Sequence, residues 1–173
     1  EIIESETVCL LQPMPYDIKY WRWIRSITAR YILPQQPGKK IFINRPPTTG
    51  RYISNHEEIH QLVRSYGFEI TNMENKSIEE QIALFSSASH IISIHGAGLT
   101  NLLFCHENTS VLEIMPNERI STHYFWLSRR FGLNYECILG GNLKQHRIFY
   151  PKGKFYLDPV KMKKYLDEWM TEA

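Results

Sequence analysis

The chain has 173 residues, 43% apolar and 22% charged, which fits one globular domain with a real core and excludes a disordered chain. Its formal charge of +2 lies too near neutrality for a dedicated nucleic-acid binder. Cys9, Cys105 and Cys137 are too few and too scattered for a disulfide framework, and each reads as a small buried hydrophobe.

Residues 7–11 form a short apolar run, broken by Pro13 and Pro15. Over 16–33, Ile18, Trp21, Ile24, Ile27 and Ile32 recur at helical spacing, which predicts a helix ended by Pro34. The continuous apolar run Ile41-Phe42-Ile43 predicts a strand covered on both faces. Residues 44–52 read as a polar loop. A helix follows, with Ser54 as N-cap, Glu57 as its capping-box partner, an apolar face of Ile59, Leu62 and Val63, and a stop near Gly67.

Residues 68–70 start a second strand, and Ser77 with Glu80 predicts a capping box opening a helix that carries Ile78, Ile82, Leu84 and Phe85. Residues 91–94 form a strand that runs into His95-Gly96-Ala97-Gly98 and a short helix with Leu99, Leu102 and Leu103. Further strands are expected at 111–115 and 135–139, with a helix over 122–130 between them, closed by Gly132. Residues 145–150 read as an edge strand or a loop. Asp158 as N-cap and Pro159 at the first helical position predict a last helix carrying Tyr165, Leu166 and Trp169. Strands alternating with helices at this spacing predict an α/β fold, a Rossmann-like parallel sheet with helices on both faces. Residues 1–37 would be a lead-in, 38–140 the core, and 141–173 an extension with a closing helix.

Ligands of open parallel sheets bind beyond the carboxyl ends of the strands. The end after Ile94 is the most informative. Gly96 and Gly98 lack Cβ atoms and let the backbone approach a ligand closely. The following helix points free amides and its positive dipole end there, which suits a diphosphate. Thr100 and Asn101 in the first turn could add hydrogen bonds, and His95 could meet a phosphate or a sugar hydroxyl. Arg45 and Arg51 lie on the loop after the first core strand, where a guanidinium fork suits phosphate oxygens. Glu113, inside an apolar strand, either binds ribose hydroxyls or accepts amides of the glycine loop. Tyr124, Phe125 and Trp126 read as core and helix-face residues. His56 and His60 are four apart, but no third metal ligand is evident.

The spacing of the glycine loop differs from the dinucleotide fingerprint, which argues against a nicotinamide or flavin. An α/β-hydrolase oxyanion loop would need a G-x-S-x-G elbow, and none is present. No apolar run reaches the roughly 20 residues of a membrane span. The acidic start, Glu1 to Glu6, does not read as a signal peptide.

Lys40-Ile41-Phe42-Ile43-Asn44-Arg45, Arg51-Tyr52-Ile53-Ser54-Asn55, the His95-to-Phe104 block HGAGLTNLLF and Val111-Leu112-Glu113-Ile114 together resemble glycosyltransferase family 61 over residues 38–140. By position Arg45, Arg51, His95, Gly96, Ala97, Gly98, Asn101 and Glu113 match that family's recurring residues. Asn55-His56 departs from its more frequent Asn-Glu. The resemblance implies the carboxyl-terminal half of a GT-B type enzyme. It implies an inverting transfer from a nucleotide sugar, UDP-linked, to a glycan or polysaccharide, as in capsular polysaccharide biosynthesis, without an obligatory metal or other cofactor. A preceding amino-terminal domain would hold the acceptor. His95 is a candidate base for deprotonating it. The alternative is a donor-binding module without turnover. The location expected is the cytoplasm, at the inner face of the membrane, if the source is bacterial, and the secretory-pathway lumen if it is eukaryotic.

Overall fold

The computed structural model describes residues 18–34, 38–49, 51–116, 121–141 and 153–172. The expected elements at 7–11 and 145–150 and the residue Cys9 lie outside them. Strands β1 (Lys39–Ile43), β3 (Glu69–Thr71), β4 (Ala88–Ile94), β5 (Ser110–Pro116) and β6 (Asn134–Gly140) form one sheet in the order β3-β1-β4-β5-β6. Every pairing in it is parallel. A second, two-stranded parallel sheet joins β2 (Arg51–Ile53) to β7 (Gly153–Phe155).

Alternation along the central strands separates two cores. Ile41, Ile43, Ile91 and Val111 face one way, against Ile82 and Phe85 of α3 (Ile78–Ser86) and Leu127 of α4 (His123–Arg130). Leu99 and Leu102, on a 3-10 helix over Ala97–Phe104, complete that layer. Phe42, Ile92, Ile94, Leu112 and Ile114 face the other way, against Ile59 and Val63 of α2 (His56–Ser65) and Leu166 and Trp169 of α5 (Pro159–Glu172). Strands buried on both faces need apolar residues at consecutive positions, hence the continuous runs. Each fully buried Ile, Leu or Phe stabilises the fold by about 1.5–3 kcal/mol. The chain is therefore α/β, with a parallel sheet between two layers of helix.

Several local expectations change. The first helix, α1 (Ile18–Ile27), stops well short of Pro34 and passes into a 3-10 turn at Ala29–Tyr31. Thr28 turns its hydroxyl back onto Ile24 O at 2.9 Å, and Ile27, assigned to the apolar face, is 57% exposed. The 44–52 loop contains a 3-10 turn, Pro47–Thr49, and the start of β2. Helix α2 has no Ser54–Glu57 capping box; its N-cap is Asn55, which makes no side-chain cap bond. Asn55 instead clamps the distant segment at Leu157, donating to its carbonyl at 2.8 Å and accepting its amide at 3.1 Å. Ser54 N donates to Phe155 O at 2.7 Å beside it. Cys105 is buried as expected, whereas Cys137, on the edge strand β6, is exposed.

The Ser77–Glu80 box forms with both bonds, Glu80 N to Ser77 Oγ at 3.2 Å and Ser77 N to Glu80 Oε2 at 2.7 Å. Asp158 caps α5, accepting from Val160 N at 3.0 Å. Gly67 (φ 85°) and Gly132 (φ 67°) end α2 and α4 in the left-handed conformation that favours glycine. Ser77→Ala should cost about 1 kcal/mol, read as a lower urea midpoint at unchanged m-value, because the orphan amide of Glu80 loses its acceptor.

The site follows from the strand order. From β1 the chain goes out to the edge strand β3, then returns past β1 to β4. The connection after β1 leads to α2 on one face. The connection after β4 leads to the 3-10 helix on the other. Their carboxyl ends part, and a crevice opens between them. Among the described residues no helix is long and apolar enough to cross a membrane.

Candidate functional site

A cleft of about 140 Å3 lies at this crevice, lined by Asn44 and Arg45 after β1, Met73 and Glu74 after β3, and Ser93 to Gly98 at the end of β4, His95 excepted. Arg45 reaches across from β1, and its Nη1 donates to His95 O at 3.0 Å. Burial lowers the pKa of its guanidinium, while Glu74 and Tyr124 pull the other way. Gly96 leaves room for that guanidinium: a Cβ there would lie 3.2 Å from Arg45 Cζ and closer still to Nη1, so a larger residue would displace it. Gly98 is different. A Cβ there would sit 3.8 Å from Met73 Cγ and 3.9 Å from Ile43 Cγ2, ordinary contact distances. Both glycines have conformations open to other residues, Gly96 at φ 170° and Gly98 outside the positive-φ set. The turn is thus glycine-rich because a guanidinium lies on it and because its floor stays open, not because the backbone is left-handed.

The 3-10 helix starts at Ala97. Its first bond runs from Leu99 N to Gly96 O at 3.0 Å. The amides of Ala97 and Gly98 precede that bond, and helix starts leave such groups without an intrahelical acceptor.

The polar side chains of the motif turn away from the cleft. Asn101, placed among the ligand contacts by sequence, is 8% exposed and donates to Gln81 Oε1 at 2.9 Å and Gly98 O at 3.1 Å. It ties the turn to α3. The His95 side chain does not line the cleft. It is 5% exposed, donates from Nδ1 to Glu113 Oε1, and packs on Tyr124 with ring centroids 5.5 Å apart. Glu113 neither awaits a ribose nor takes the loop amides. It is fully buried, and its second oxygen accepts from the Tyr135 hydroxyl. Burial, then the Glu113 bond, raise the pKa of the Tyr135 phenol, so it stays a donor. A carboxylate accepting from Nδ1–H fixes the imidazole tautomer and leaves Nε2 as the other face of the ring.

Arg51 lies on β2, opposite Gly153, rather than in a loop. It does not line the cleft, but both it and Arg45 act on the Tyr124 phenol. Burial, and then Glu113, raise that phenol's pKa, while Thr100 and the two arginines oppose the rise. Thr100, itself exposed, therefore faces Tyr124. Of the neighbouring aromatics, Phe125 is 37% and Trp126 45% exposed, on the helix face rather than in the core. His56 and His60 have rings 5.6 Å apart, and among the described residues no group of three metal-ligating side chains exists. His60 instead holds Asn44 Oδ1 at 3.2 Å, at the cleft edge.

Asn44, Met73, Glu74, Ser93 and Tyr135 complete this region and were missed in the sequence. Glu74 was within reach of it, because the loop after β3 ends at the same sheet edge as the loops after β1 and β4. Tyr135 was not: its link to Glu113 depends on strand pairing, in which Val111 sits opposite Tyr135.

The glycosyltransferase 61 family model matches residues 6–112. The chain is 33% identical over 89 residues to a beta-1,2-xylosyltransferase of Oryza sativa subsp. japonica, covering 49% of this chain and 15% of that protein. It is 27% identical over 127 residues to an alpha-1,3-arabinosyltransferase of the same species, covering 71% of this chain and 21% of that protein. A beta-1,2-xylosyltransferase of Arabidopsis thaliana is 32% identical over 66 residues, 38% of this chain and 12% of its own length. The chain thus spans about a fifth or less of the curated relatives it matches. With the family model matching more than half of its residues, the chain belongs to the glycosyltransferase 61 family.

Proposed function

We propose that the chain is the donor-binding half of a GT-B type glycosyltransferase, transferring a sugar with inversion from a UDP-linked donor to a glycan acceptor. The observation that carries this is the Arg45 guanidinium laid across Gly96 at the crevice between β1 and β4. There the diphosphate receives a planar cation and the amides of Ala97 and Gly98. In the transfer an acceptor hydroxyl attacks the anomeric carbon opposite the UDP, and the bond to the diphosphate breaks. The negative charge that gathers on the departing UDP is met by Arg45 and the helix start without a metal ion. About 140 Å3 is too little for a whole nucleotide sugar, for which pockets run from roughly 300 Å3 upward, so part of the donor lies outside the cleft. The acceptor belongs to the amino-terminal domain of the two-domain enzyme.

A donor-binding module without turnover is the second reading. It is favoured by one observation: the His95 side chain, the candidate base, points at Glu113 rather than into the cleft. Titrating UDP into the chain with EDTA present tests the shared core of both readings. Micromolar binding without metal is expected, and no heat at millimolar UDP would sink them. Release of free UDP from a UDP-sugar by the chain would overturn the second reading.

The two glycines should separate. Gly96→Ala is expected to weaken UDP about tenfold or more by displacing the guanidinium, with the thermal midpoint little changed. Gly98→Ala adds a methyl to the cleft floor without a clash and should cost less than Gly96→Ala by calorimetry. Equal losses would mean that Arg45 takes no part.

A further inference from the structure

The cleft changes sign along its length. Three successive strand ends meet there in the sheet order β3-β1-β4, and they present Glu74, Arg45 and the Gly96 turn in that order. The loops are bound together: Asn44 Nδ2 donates to Asn72 Oδ1 at 2.9 Å, and Met73 lies over Gly98. Glu74, itself exposed, lines one cavity with Arg45, although no motif marks it. Its carboxylate accepts no hydrogen bond from any described residue, and it raises the Arg45 pKa against the lowering by burial.

A carboxylate is a poor wall for a diphosphate, which like charge repels. It is a good wall for hydroxyl groups, since an ionised carboxylate only accepts and binds O–H donors strongly. We infer that Glu74 reads the donor sugar: the diphosphate lies at the Arg45–Gly96 end, the sugar hydroxyls lie at the Glu74 end, and the site selects neutral sugars against sugar acids. This rests on the diphosphate seat proposed above. The substrate class is then a nucleotide sugar whose hydroxyl-bearing carbons carry no carboxylate.

The test compares UDP-glucose with UDP-glucuronate, which differ by one carboxylate on the same sugar. Kd values for both, and for UDP alone, are measured by calorimetry on the 173-residue chain and on Glu74→Gln, at low and high salt, with thermal melts confirming folding. In the wild type UDP-glucuronate should bind about five- to tenfold more weakly than UDP-glucose, the gap narrowing at high salt as expected of facing like charges. In Glu74→Gln the gap should close to about twofold, and UDP alone should bind as well or better. A gap near one in the wild type, with UDP still bound, overturns the inference and leaves the diphosphate seat standing. So does a gap that Glu74→Gln leaves intact, or UDP binding that needs magnesium and loses that need in the variant, which would make Glu74 a metal ligand. Absence of UDP binding altogether overturns the seat itself, and this inference with it.

Discussion

Glu113→Ala should destabilise the chain by about 3–5 kcal/mol, the range for breaking a buried charge-bearing pair by removing one partner. Glu113 has no exposed surface, and both its oxygens are taken, by His95 Nδ1 and by the Tyr135 hydroxyl. Alanine leaves two buried donors without an acceptor and a cavity between β4, β5 and β6. Burial alone makes each such orphan cost about 1–3 kcal/mol. Glu113→Gln keeps an acceptor of the same shape and should cost less, because one amide oxygen can still serve one of the two donors. Urea unfolding of the three proteins decides it. A loss under about 1 kcal/mol for alanine would mean that the network carries no stability. The same variants should also weaken UDP, since His95 O is the carbonyl on which Arg45 rests. That coupling gives the buried carboxylate its place in a binding site it never touches.

Which features were legible follows from how local their causes are. The central strands were readable because burial on both faces forces continuous apolar runs, as at Ile41-Phe42-Ile43 and Ile91-Ile92. The Ser77–Glu80 and Asp158 caps were readable because their bonds span two or three residues. Strands β2 and β7 escaped notice because each has three residues and its partner lies about 100 positions away. The Asn55 clamp on Leu157 is equally remote.

The motif is instructive in another way. His95 was assigned to the ligand because it borders the glycine turn. Yet β4 alternates: Ile91 faces the α3 and α4 layer, and alternation puts Ser93 on the same side. Two residues further on, His95 keeps that direction and lands on Tyr124. The period of the strand, carried one step past its end, places the ring on the side of the sheet where Glu113 lies. In this turn the backbone and one distant arginine face the cleft, and the polar side chains hold the backbone there.

That division of labour sets the expectation for Arg45→Ala: UDP affinity should fall about 100-fold, close to 3 kcal/mol, while the fold survives. A hydrogen bond to a charged group contributes about 1.5–3 kcal/mol, and a guanidinium can offer two to one diphosphate. The upper end applies because Arg45 is half-buried, where solvent screens its charge less than at the surface. Arg45→Lys should recover only part of the loss, since an ammonium cannot span two oxygens in one plane. Arg51→Ala is the internal comparison. Arg51 is not among the cleft-lining residues and acts at Tyr124, so its removal should weaken UDP by less than tenfold. Calorimetry on the three variants, with melting curves to show intact folds, separates the two arginines. Should Arg51→Ala prove the more damaging, the anion would sit nearer the β2–β7 sheet, and the crevice between β1 and β4 would lose its claim to it.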